Sequence, residues 1–67
     1  MNINKLLGLM AEKRISQREL AQKLGVSKNT INNKINGKGK FDTVEATKIC
    51  EILEVTDPKI KIEIFLN

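Results

Sequence analysis

The 67-residue sequence predicts an all-α domain, a compact bundle of four to five helices, on three observations. Apolar residues recur at helical spacing in four stretches, Asn, Ser or Asp stands ahead of each, and glycine follows two of them. A chain of this size buries only about 60% of the surface its unfolded form exposes, so residues 1–67 make one domain of modest stability.

The first helix begins after Asn2 or Asn4 and runs to about Lys13, with Ile3, Leu6, Leu7 and Met10 on its core side. Gly8 within it costs on the order of 1 kcal/mol relative to Ala, so either the helix is locally weak or another backbone approaches there. Lys13 and Arg14 place charge where the helix dipole favours it, and Ile15 plugs the connection into the core.

Ser16 and Glu19 form a capping box that starts the second helix at Gln17. Leu20, Ala21 and Leu24 share one face, and Gly25 supplies the left-handed residue that reverses the chain. Val26 then precedes Ser27, a second N-cap, and can staple onto Ile31. Ile31 and Ile35 face inward in the third helix, Lys28, Asn29, Asn32 and Asn33 face outward, and Asn36 and Gly37 end it.

Residues 37–40 read as a flexible basic loop, after which Phe41, Asp42 and Glu45 form a staple and a second capping box that starts a helix near Thr43. Ala46, Ile49, Cys50 and Leu53 give it a core-facing stripe that ends near Val55. Two periods compete in the tail. Asp57 and Pro58 would cap a fifth helix to about Leu66, whereas Ile60, Ile62, Ile64 and Leu66 alternate like a strand that could pair with its symmetry mate. Either form carries enough apolar surface to make residues 56–67 a candidate dimerisation tail, ordinary core being the alternative.

The stretch from Ser16 to Gly37 resembles the helix-turn-helix of the lambdoid phage repressor and Cro family, the XRE-like regulators. The resemblance rests on Ser16-Gln17, Leu20-Ala21, the turn Gly25-Val26-Ser27, Ile31 and Asn36-Gly37-Lys38, and extends from about Asn4 to Val55. It implies a lambda-repressor-like bundle, with a fifth helix in the tail and the third helix laid in the major groove. One departure stands out. Many members pair an Arg on the first helix with a Glu before the Asn-Gly pair, whereas this chain has Met10 and Ile35 there, for which a direct apolar contact is expected.

Composition narrows the function. The net charge of +4 divides unevenly: nine Lys or Arg against Glu12 and Glu19 give +7 over residues 1–40, and the remainder sums to −3. A basic half suits a polyanion, although lysines by themselves also suit a solvated surface. Phe41 and Phe65 are the only aromatic residues, too few for stacking on single-stranded bases, so duplex DNA is the expected partner. With one cysteine and no histidine, neither a disulfide, a usual zinc site, another cofactor nor an enzyme's acid-base machinery is expected. No segment reads as a membrane span or leader, which points to the cytoplasm.

On the third helix, Lys28 can donate to guanine, while Asn29 and Asn33 each match adenine's paired donor and acceptor, with Asn32 as a secondary base reader. Thr30 lies between two faces and is read as packing on the second helix. Asparagine is a poor helix former, yet four fall between Asn29 and Asn36 and none in the second or fourth helix, so folding alone does not account for them. The resemblance makes Ser16, Gln17, Ser27, Asn36, Lys38 and Lys40 the phosphate contacts, though Ser27 and Asn36 also have structural uses as caps. The expected whole is a phage- or prophage-type transcriptional regulator, a probable repressor that is Cro-like in organisation and binds a palindromic operator as a homodimer. The rival is a protein-interaction module, antitoxin-like or an adaptor, that uses the bundle and its apolar tail.

Overall fold

Five side-chain caps set where the helices begin. In the computed structural model, which describes residues 1–66, Asn2, Ser16, Ser27, Asp42 and Asp57 each accept a hydrogen bond from a backbone N–H two or three residues ahead. The helices that follow are α1 (Ile3–Glu12), α2 (Gln17–Leu24), α3 (Lys28–Ile35), α4 (Thr43–Ile52) and α5 (Pro58–Phe65). The starts expected at Gln17 and near Thr43 agree with these bounds. The two expected capping boxes differ: Asp42 and Glu45 exchange both hydrogen bonds, whereas Ser16 accepts from Glu19 N–H with no return bond from the Glu19 carboxylate.

The first four helices stop in the same way. The N–H of Ile15, Val26, Lys38 and Val55 reaches back to the carbonyl of Met10, Ala21, Asn33 and Cys50, at 2.8 to 3.0 Å. Each such return needs a left-handed residue just before it. Glycine supplies it at Gly25 and Gly37 (φ 76° and 83°), while Arg14 and Glu54 are held at φ 57°. This is why α1 and α4 end at Glu12 and Ile52, short of the expected Lys13 and Val55.

Every helix sends a side chain into one core: Leu6, Leu20, Ile31, Ile49 and Ile64 are at most 1% exposed, as is Leu53 at the end of α4. Ala21, Ala46 and Cys50 are buried as expected, and Met10 and Ile35 both lie in the core cluster. Leu7 departs from expectation, because the buried face of α1 centres on Leu6 and Met10 and leaves it at the solvent edge, while Leu9 packs on the core. The space around Gly8 is open, which removes the reading that a second backbone approaches it.

The tail is helical, which overturns the strand alternative. Asp57 accepts from Lys59 N–H, Pro58 occupies the first turn, and the alternating apolar residues consequently scatter around α5. Ile64 is buried and Ile60 half-buried, but Ile62 and Leu66 are exposed; Asn67, the last residue of the tail, lies outside the described residues. α5 packs against α1 and α4, and Asn2 N–H donates to the Ile64 carbonyl at 2.7 Å. α2 packs against α3 and α4.

Candidate nucleic-acid interface

The turn between α2 and α3 fixes the outward face of α3. Gly25 reverses the chain, Ser27 Oγ accepts from Thr30 N–H at 3.1 Å, and the two hydroxyls lie 2.9 Å apart. Thr30 is half-buried and tied to the Ser27 cap through its backbone N–H and its hydroxyl. With Ile31 and Ile35 inward, Lys28, Asn29, Asn32 and Asn33 are all exposed along one outer stripe.

A chain of amides runs through this face. Asn36 Nδ2 donates to Asn32 Oδ1 at 2.8 Å, and Asn32 Nδ2 donates to Gln17 Oε1 at 3.3 Å. The network ties the first turn of α2 to the middle and end of α3, bringing three of the predicted residues together. Asn32 spends one donor and one acceptor on it and retains one of each for a base edge. Asn29 and Asn33 keep their side-chain amides unengaged within the chain, among the described residues. Ser16, Ser27, Lys38 and Lys40 are exposed, and Lys40 lines a cleft with Met1, Phe41, Phe65 and Leu66.

Three cations pair with carboxylates among the described residues. Lys5 pairs with Glu63 and Lys13 with Glu54, both at 3.8 Å, and Lys34 reaches both carboxylate oxygens of Glu45 at 2.7 and 2.8 Å. Lys28, Lys38 and Lys40 have no such partner among the described residues, and the same is true of Arg18 on the first turns of α2 and, elsewhere, of Arg14, Lys23, Lys48, Lys59 and Lys61. Arg18 was not singled out from sequence, although its place directly after Gln17 is a usable signal. Unpaired positive charge around an amide-bearing helix can neutralise phosphates and match base edges at once. Among the described residues no cluster of His, Cys, Asp and Glu could hold a metal, and no helix is long and apolar enough to cross a membrane.

An α-helical domain with this tight turn, two short crossing helices and an outward polar stripe is a helix-turn-helix protein. The family model for Cro/C1-type HTH DNA-binding domains matches residues 5–59, and the chain belongs to that family. No curated protein and no solved structure matches the chain significantly. Membership supports DNA binding and, with it, a part in transcription regulation.

Proposed function

We propose that the protein is a sequence-specific duplex-DNA reader of phage or prophage type, a repressor that acts in the cytoplasm as a homodimer. Each protomer lays α3 in the major groove. Lys28, Asn29, Asn33 and, with its remaining amide positions, Asn32 read bases, while Ser16, Gln17, Ser27, Asn36, Lys38 and Lys40 hold phosphates. The observation that carries this reading is the outer stripe of α3: Lys28, Asn29 and Asn33 are exposed side by side and their side chains have no partner among the described residues, in a chain of the Cro/C1-type family.

What supports the dimer is apolar surface away from α3. Val44, Ile62 and Leu66 are exposed, and a cleft of about 280 Å³ between the start of α4 and α5 is lined by apolar Phe41, Ala46, Ile62, Phe65 and Leu66, with Asp42, Thr43 and Lys61 at its polar edge. A second copy covering it would present two α3 helices to one face of a duplex, with half-sites about 34 to 36 Å apart. The same surface is what an adaptor would use, so the test has to separate the two.

Selection of binding sites from random duplex DNA tests the proposal. Paired inverted half-sites one turn apart are the expected result. Single half-sites would remove the homodimer, and no enrichment would favour the protein-interaction module. The logarithm of affinity should fall with that of salt by about 0.9 per phosphate neutralised, whereas an apolar protein interface would barely respond.

A further inference from the structure

Lys34 lies on α3, yet its charge does not face outward with that of Lys28. Its ammonium bridges to the Glu45 carboxylate in the first turn of α4, and both side chains are at most 20% exposed. Glu45 also accepts from Asp42 N–H at 3.0 Å, so one carboxylate closes the α4 cap and holds the end of α3. The same ammonium lies 5.5 Å from the centre of the Phe41 ring, whose edge-on partner is Phe65 on α5.

The aliphatic stem of Lys34 has a second contact. A Cβ at Gly39 would stand 3.3 Å from Lys34 Cγ, so the loop backbone lies against that stem. Residues 36–42 therefore form a loop clipped at its base, with Lys34 as the post, and Lys38 N–H donating to the Asn33 carbonyl closes its start. A free loop with two glycines would sample many conformations, and ordering it at the moment of binding would oppose association.

We infer that Lys34 is a positioning residue: through Glu45 and Gly39 it presets the loop that carries Lys38 and Lys40 for contact with DNA phosphates. This rests on the reading of Lys38 and Lys40 as phosphate contacts. Lys34 itself touches no phosphate, and Glu45, a negative charge near a DNA-binding face, aids binding rather than opposing it.

The sign of one substitution separates this from simple electrostatics. Glu45→Gln keeps an acceptor for the α4 cap and removes a negative charge, so charge alone predicts tighter binding to mixed-sequence duplex DNA. The clip predicts binding weaker by about 3- to 10-fold, the equivalent of one or two side chains left to be ordered. Lys34→Met, which keeps the stem, should give a similar loss with an unchanged salt slope, whereas a direct phosphate contact would lower that slope by about 0.9. Lys34→Arg, which preserves the pair, should restore affinity. Melting curves for each variant confirm that it is folded.

A second readout works without DNA. In the free protein, amide order parameters at residues 37–40 should fall in Glu45→Gln and in Lys34→Met; unchanged values would overturn the clip, as would tighter or equal DNA binding by Glu45→Gln. If Lys38→Ala and Lys40→Ala leave the affinity of the unmodified chain intact, the phosphate reading fails, and the role given to Lys34 fails with it.

Discussion

Asn29 and Asn33 are exposed on α3 and free to present paired donors and acceptors, whereas Lys38 sits on a glycine loop with only a point charge to offer. Their losses should therefore differ in kind. Asn29→Ala or Asn33→Ala should cost about 1 to 3 kcal/mol at one base position and relax preference there, while Lys38→Ala should weaken all sequences alike and reduce the salt slope by about 0.9. Binding measured on single-base variants of the selected site checks both. Cys50 provides a separate pH test. Burial pushes its thiol above the ordinary range and the Lys61 ammonium pulls it partly back. In the unfolded chain the thiol ionises at lower pH, so its burial contributes fully below the ordinary thiol value and loses effect as pH rises past it. The stability difference between the native chain and Cys50→Ala should narrow in alkaline solution, as read by denaturant melts at a series of pH values.

Among the elements, two glycines of opposite character lie in or beside helices. Gly8 is mid-helix with open space around it, so Gly8→Ala should stabilise by about 0.5 to 1 kcal/mol. Gly25 holds φ 76°, so the same substitution there should destabilise by about 1 to 2 kcal/mol. Thermal unfolding of the pair of variants checks the contrast. Helix starts were legible in the sequence because a cap and the amide it bonds lie within one turn. The ends at Arg14 and Glu54 were less so, since no glycine marks them and it is the packing of the next residues, Ile15 and Val55, on the core that goes with a conformation L side chains rarely adopt. Leu7 was misplaced because periodicity gives a face but not which neighbouring helix covers its edge. The part played by Lys34 was invisible for a different reason: Glu45 is eleven residues away, a separation that belongs to no helical period. The amide chain from Gln17 to Asn36 is hidden likewise, although the sequence points to each of its three residues singly.

For the molecule as a whole, α5 is the element on which closure depends. Ile64 is 1% exposed and lies in the same core as Leu6 and Leu53, so Ile64→Ala should cost about 2 to 5 kcal/mol, a large share of what so small a domain has. Ile62→Ala, at an exposed position on the same helix, should change monomer stability by less than about 0.5 kcal/mol. Denaturant melts of the two variants, run at a concentration low enough to keep the chain monomeric, separate the buried side of α5 from the side proposed to meet a second copy.

The hydrogen bond from Asn2 N–H to the Ile64 carbonyl joins α1 to α5, two helices that are synthesised furthest apart in time among the five. While the chain leaves the ribosome, α1 to α4 emerge with the α5 side of the core uncovered, and α3 exists before the element that completes its support. Translation therefore sets the order of events: a nascent chain paused in the α4–α5 connection carries every residue proposed to touch DNA but lacks the last packed helix.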